Sequence, residues 1–249
     1  MVTIGNIPLG TGIPKICVPL VGRTEADIVS ACKSIQPLPY DVLELRIDYF
    51  EGVTVMANVT HLLQSIRSLL PKAPLLFTFR TKDEGGEQIL PEDTYFTLLQ
   101  HAIQSGLIDA VDIEYFRDRD GVEETVALAK EKGVTVVMSN HDFAKTPSKE
   151  TIVQRLVGMK ELGADVPKIA CMPNSVYDVL RLLAATTIFH EEHYADVPII
   201  TMSMGKLGVI SRVSGETFGS CLTFGAANQA SAPGQLDVKA LRSILQALH

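Results

Sequence analysis

The 249 residues include no tryptophan, only four cysteines and only six histidines. Each scarcity removes a class of protein. Cys17, Cys32, Cys171 and Cys221 are scattered, with no C-x-x-C pair and no histidine at zinc-finger spacing, so neither a disulfide framework nor a structural zinc site is expected. The thiols read as buried and free. No run approaches the roughly eighteen uncharged apolar residues that cross a bilayer, and the start MVTIGNIPLG lacks the basic and then apolar regions of a signal peptide. A cytoplasmic protein without a membrane partner is expected. Positive charge is short too: 22 lysines and arginines face 29 acids, a formal net charge of −7. Nucleic-acid binders carry a basic face, so no nucleic-acid partner is expected. In so acidic a chain, arginines and lysines gathered in one place point to recognition of a small anion.

What is present is apolar and regular. With 46% apolar residues and no long charged or Pro/Ser-rich tract, the chain can bury one large core as one domain over residues 1–249. Eight short β-branched runs alternate with stretches of helical period: KICVPL from Lys15, VLELRID from Val42, PLLFTF from Pro74, VDIEYF from Val111, VTVVMSN from Val134, VPKIACM from Val166, VPIITMS from Val197 and SCLTF from Ser220. Successive runs start about 25 to 40 residues apart, the length of a strand, a helix and two loops, and eight such units close into a (β/α)8 TIM barrel. Thr24 with Asp27 and Ser175 with Asp178 fit the Ser/Thr-x-x-acid helix start. Between the seventh and eighth runs only GKLGVISRVSGETFG is available, so that helix is short. TIGNIPLGTG reads as an N-terminal β-hairpin closing the bottom of the barrel. An open doubly wound sheet is disfavoured because no G-x-G-x-x-G follows the first strand.

Strand parity locates a polar interior. In VLELRID, Leu43, Leu45 and Ile47 suit packing on helices, which turns Val42, Glu44, Arg46 and Asp48 inward. Arg80 ends the third strand, Asp112 and Glu114 share a face of the fourth, and His141 follows the fifth, so charged groups converge on one rim. Lys168 lies inside the apolar run VPKIACM, where water is excluded; desolvation disfavours an ammonium ion and favours a neutral amine, which condenses with ketones. A lysine salt-bridged to Glu44 or Glu114 is the structural reading of the same position. Met202 and Met204 are soft apolar walls for a carbon ring, or ordinary core packing. The last loop, GAANQASAPGQ, offers Ser231 and Gln235 and is placed to close as a lid. TKDEGGEQ after the third strand contributes Glu84. His61, His101, His190 and His193 sit on helices and receive no chemistry.

Six blocks then carry a resemblance. ELRID (44–48), TFRTKDEGGE (78–87), HDF (141–143), PKIACMP (167–173), MSMGKLGVISR (202–212) and SAPGQ (231–235) resemble, in order, the type I 3-dehydroquinate dehydratase family over nearly the whole chain. The resemblance implies that Lys168 forms a Schiff base with 3-dehydroquinate. It makes His141 the general acid/base and Glu84 the carboxylate that orients and tunes it. Glu44, Arg46, Arg80, Met202, Met204, Arg212, Phe224, Ser231 and Gln235 are the implied substrate-binding positions, with Arg212 on the substrate carboxylate. The implied reaction is a syn loss of water giving 3-dehydroshikimate, the third step of the shikimate pathway, in a homodimer needing no metal or other cofactor. Asn140 and Cys171 depart from the residues commonest in the family at their positions, and neither is assigned chemistry. The residues alone leave other readings open: a metal-dependent isomerase using Glu44, Asp48, Asp112, Glu114 and His141, a lysine-dependent aldolase, or a barrel that binds a small acid without catalysis.

Overall fold

Strand and helix alternate along the chain, which a computed structural model describes over residues 1–227 and 232–249. In chain order the elements are β1 (Thr3–Ile4), β2 (Ile7–Pro8), β3 (Lys15–Leu20), α1 (Glu25–Ile35), β4 (Val42–Arg46), α2 (Met56–Leu69), β5 (Leu75–Thr78), α3 (Glu92–Gln104), β6 (Ala110–Glu114) and α4 (Arg119–Lys132). They continue with β7 (Thr135–Asp142), α5 (Lys149–Glu161), β8 (Val166–Cys171), α6 (Val176–Ile188), β9 (Ile200–Ser203), α7 (Val209–Val213), α8 (Gly215–Phe218), β10 (Leu222–Ala226), β11 (Leu236–Asp237) and α9 (Val238–Leu248). Strands β3 to β9 pair in sequence order, all parallel, and β10 returns to pair with β3 through Thr223 and Ile16. A parallel bridge from Ile199 to Ser220, with Cys221 N–H donating to Ile199 O at 2.9 Å, joins the β9 edge to β10 and closes the ring. The TIM-barrel expectation therefore holds. The added strand β11, on β10, was not legible in the sequence.

Parity sorts the core as expected. Leu43, Leu45, Ile47, Phe77, Val111, Ile113, Val136 and Ile169 point outward into one apolar layer shared with helix residues such as Ile28, Leu62, Leu63, Leu98 and Leu156. Truncating one of these leucines to alanine would cost about 2 to 5 kcal/mol, so this layer holds the barrel together. A second, smaller cluster fills the interior: Cys17, Val42, Leu76, Ala110, Val137, Val166, Ile200 and Leu222, with Ile4 and Leu9 of the β1–β2 hairpin plugging the bottom. Thr24 and Asp27 form the expected capping box at α1, and Asp178 accepts from the Ser175 and Asn174 amides at the start of α6. Among the described residues no helix is long and apolar enough to cross a membrane.

One strand end differs from the sequence reading. The β7–β8 ladder runs on through His141 opposite Ala170 and Asp142 opposite Cys171, so His141 lies in the strand rather than after it. The ladder holds the residue beside it, Asp142 O accepting from Met172 N–H at 2.8 Å, which positions the imidazole more tightly than a loop would.

Candidate active site

Above the apolar interior, the inward faces of β4 to β8 turn charged. Glu44, Arg46, Arg80, Asp112, Glu114 and Lys168 are all buried, at most 7% exposed. Charges so far from water persist only when paired, and the pairing here is dense. Arg46 forms a two-pronged bond with Asp48, Nε to Oδ1 and Nη2 to Oδ2, both 2.8 Å. Arg80 donates from Nη1 to Glu114 Oε1 and Ser139 Oγ, each at 2.9 Å, and from Nη2 to Asp112 Oδ1 at 2.8 Å. Lys168 Nζ donates to Asp112 Oδ2 at 3.0 Å, stands 3.7 Å from Glu44 Oε1 and lies 4.8 Å from the centre of the Phe224 ring. The salt-bridged reading of Lys168 therefore describes the resting protein, with Asp112 rather than Glu114 as the close partner. Burial raises the Asp112 carboxyl, but Arg80 and then Lys168 outweigh it and hold it at about 2.

Glu84 reaches the site from a short turn, Lys82–Glu84. Glu114 anchors that turn by accepting from Thr81 N–H at 2.9 Å and Thr81 Oγ at 2.7 Å. The turn ends on Gly85 at φ +87°, where an added Cβ would lie 2.3 Å from the Phe143 ring. Only glycine lets that ring close over the turn. Glu84 Oε2 then accepts from His141 N–H at 3.0 Å and lies 2.9 Å from His141 Nδ1, while Oε1 accepts from Asn140 Nδ2 at 3.1 Å. Burial, and after it Arg80, Lys168 and Arg46, push His141 well below the usual histidine value. Burial and Glu114 raise Glu84 to about 7. The two groups share one proton and titrate as a unit. Once that proton is lost as pH rises through about 7, the N–H donors on both carboxylate oxygens keep Glu84 the acceptor, so the one hydrogen left on the ring sits on Nδ1 and Nε2 is the unprotonated nitrogen.

Between pH 3.8 and about 2 the unfolded chain takes a proton at Asp112 that the folded protein does not. Stability from this group is complete above pH 4 and is lost as pH falls toward 2, roughly 2 kcal/mol in all. The Glu84–His141 unit contributes little slope from pH 5 to 6, because folded and unfolded states then each carry one proton on it. Urea melts should therefore be flat over that span and lose stability below pH 4; in Asp112→Asn the acid loss should shrink by about 2 kcal/mol.

Arg212 is the exception to the pairing. It is 1% exposed, donates from Nη2 to Pro233 O at 2.8 Å and from Nη1 to Met202 Sδ at 3.7 Å, and its Nε has no partner among the described residues. No carboxylate faces it there, and burial alone lowers it to about 10. One pocket at the C-terminal end of the barrel is lined by Glu44, Arg46, Arg80, Glu84, His141, Lys168, Met202, Met204, Arg212, Phe224 and Gln235. Of the expected site residues, only Ser231 lies outside the described residues. Phe143, Gly85, Ala170 and Ala232 line the pocket as well, and Asp112, Ser139 and Asn140 support it from behind. A larger cleft of about 740 Å³ at the opposite end carries Glu191, Asp196 and Glu216 but no lysine or arginine, which suits no anion. The metal-dependent reading fails on the ion pairs: Asp48, Asp112 and Glu114 each already hold an arginine or lysine.

The profile of the type I 3-dehydroquinase family matches residues 16–249. The chain is 50% identical over 248 residues to a 3-dehydroquinate dehydratase of Listeria monocytogenes, covering 100% of this chain and 98% of that protein. It is 51% identical over the same length and shares to one of Salmonella agona. The type I 3-dehydroquinate dehydratase of Clostridium difficile, solved with covalently modified comenic acid, superposes with a TM-score of 0.96 at 50% identity, covering 100% of this chain and 97% of that one. The 3-dehydroquinate dehydratase of Enterococcus faecalis does so at 0.93 and 44%, with both chains covered completely. Fold, block order and full-length identity agree: the chain belongs to the type I 3-dehydroquinase family.

Proposed function

We propose that this chain is a hydro-lyase that dehydrates 3-dehydroquinate to 3-dehydroshikimate through a Schiff base on Lys168. One observation carries the reading: a buried lysine, a neutral imidazole and a buried guanidinium without a carboxylate partner open on the same pocket. The lysine suits a ketone, the imidazole an acidic C–H, the guanidinium a carboxylate. Arg212 takes the substrate carboxylate in a two-pronged bond. Met202, Met204 and Phe224 wall the ring, while Glu44, Arg46, Arg80, Ser231 and Gln235 address its hydroxyls and carboxylate. Arg80 does so through few remaining donors, since Asp112, Glu114 and Ser139 occupy three of them.

His141 Nε2 takes a proton from the Lys168 ammonium, and the freed amine adds to the ketone. Two protons pass by way of His141 to the carbinolamine oxygen, which leaves as water, and the iminium that remains keeps Asp112 as its counter-ion. His141, again neutral, removes a proton from the adjacent methylene, and the electron pair enters the iminium to give an enamine. The enamine expels the tertiary hydroxyl, protonated by the same imidazole, so the loss is syn. Hydrolysis of the conjugated imine frees the amine. No metal or cofactor is needed for these steps. The acting unit is one catalytic domain in a cytoplasmic homodimer. The apolar side of α6, with Val176, Tyr177 and Leu180 at 63, 78 and 55% exposure, supports an interface, and a monomer mass in sedimentation would remove it.

The test is conversion of 3-dehydroquinate, followed by the absorbance of the conjugated product, with borohydride trapping and mass mapping of the adduct. No conversion, or an adduct away from Lys168, defeats the reading. His141→Ala should lower kcat by at least about a thousandfold, yet still form a trappable adduct, because it removes the proton carrier and leaves the nucleophile. Stopped-flow quenching with borohydride separates the two: an adduct lost in proportion to turnover contradicts this role.

A further inference from the structure

Behind the imidazole, on the side away from the pocket, stands a chain of hydrogen bonds to which the sequence pattern gave no role. Arg155, on α5, donates from Nη1 to Asn140 Oδ1 at 2.8 Å. Asn140, 5% exposed on β7, donates from Nδ2 to Glu84 Oε1 at 3.1 Å. Glu84 Oε2 meets His141 N–H and Nδ1 at 3.0 and 2.9 Å. The guanidinium lies 5.1 Å from the centre of the Phe116 ring, which holds it in place.

The order of residue types fixes the direction of every bond in this chain. Arginine has donors only, so the Asn140 atom that faces it must be the carbonyl oxygen. The amide nitrogen is then turned to Glu84, and it too can only donate. An N–H held on that oxygen stabilises the carboxylate over the acid, which favours Glu84 as an acceptor on both oxygens. The proton between Glu84 and the ring is thereby favoured on Nδ1, and Nε2 faces the substrate as a base. We infer that Arg155 and Asn140 are positioning residues that set the protonation and tautomer of His141 from outside the pocket. The inference rests on the proposed role of His141 and names what sets it.

The same chain offsets strong opposition. Glu84 faces Glu114 and Asp112 from β6, which raise its proton affinity, with Arg80 at 3.5 Å opposing them. His141 faces Arg80, Lys168 and Arg46, all of which disfavour its protonation. Asn140 Nδ2 is the neutral group favouring the Glu84 anion from the helix side. Taking it away lets the dyad accept a second proton at higher pH.

Arg155→Met frees the amide to rotate and should move the acid limb of the kcat/KM profile up by about one pH unit, with kcat at pH 7 down about tenfold. KM should change less than threefold, since neither Arg155 nor Asn140 lines the pocket. Arg155→Lys keeps a donor and should restore the limb. Asn140→Asp keeps the pair with Arg155, and with it the local fold, but turns an acceptor toward Glu84; its limb should move further than that of Arg155→Met. Limbs unchanged in Arg155→Met and Asn140→Asp, with thermal melts showing both folded, overturn the inference even where the wild-type protein dehydrates dehydroquinate. Failure of the wild-type protein to do so defeats the functional reading instead.

Discussion

Lys168→Ala is expected to lower kcat/KM for dehydroquinate by at least about ten-thousandfold and to abolish the borohydride adduct. The size follows from the loss of a covalent route that is held in place before substrate arrives. Folding should survive, because Asp112 retains Arg80 at 2.8 Å and the Ser139 hydroxyl when Nζ at 3.0 Å is lost. The stability lost is about 1 to 3 kcal/mol, the range for a hydrogen bond to a charged group. A second consequence concerns charge. Lys168, Arg46, Arg80 and Arg212 balance Glu44, Asp48, Glu84, Asp112 and Glu114 to within one unit in the buried site. Removing a cation leaves an excess of two acids, so Asp112 should rise from about 2 toward its ordinary value. Carbon-13 titration of that carboxyl in Lys168→Ala would register the change. An adduct surviving in this variant, or turnover within tenfold of wild type, places the nucleophile elsewhere.

The order of strands and the inward charges were legible because parallel barrel strands are buried on both faces, which makes a charge within an apolar run conspicuous. Glu44 and Lys168 declare themselves in that way. Parity did not reveal what each charge holds in the resting state. Asp112 was read as one more inward acid, yet it takes the lysine, although the β6–β7–β8 register lines up Glu114, Ser139 and Lys168; Glu114 is instead held by Arg80, Thr81 and Arg117. Asn140 has the opposite parity to His141 and so reads as an outward packing residue. Its contact with Glu84 exists because the Lys82–Glu84 turn folds back over the sheet end, a loop geometry that strand periodicity does not encode. Arg155 lies on the following helix, where an arginine reads as surface. Ser231 was named from its block and lies outside the described residues.

Arg212→Met should separate binding from stability in opposite directions. In the free protein the guanidinium is buried without an acid among the described residues, and lowering it to about 10 from the ordinary arginine value measures the cost of keeping it charged. A folded value below the unfolded one, for a cation, destabilises the fold at every pH under about 10 and is relieved only as pH rises from there toward the ordinary arginine value. The shift corresponds to roughly 3 kcal/mol as an upper figure, from which about 1 to 2 kcal/mol is recovered by the bonds to Pro233 O and Met202 Sδ. Methionine fills similar volume with no charge, so Tm should rise by about 2 to 8 °C. The same change removes the group that meets the substrate carboxylate, and KM should rise roughly hundredfold to thousandfold, about 3 to 4 kcal/mol of binding. Lys168 stays in place, so borohydride trapping at saturating substrate should persist. Product should accordingly raise the Tm of the wild-type protein far more than that of the variant, since the carboxylate supplies the counter-charge that the fold withholds. A variant with lowered Tm and unchanged KM would mean that Arg212 is a structural cation whose partner is Pro233, and the assignment of the carboxylate would pass to Arg46 or Arg80.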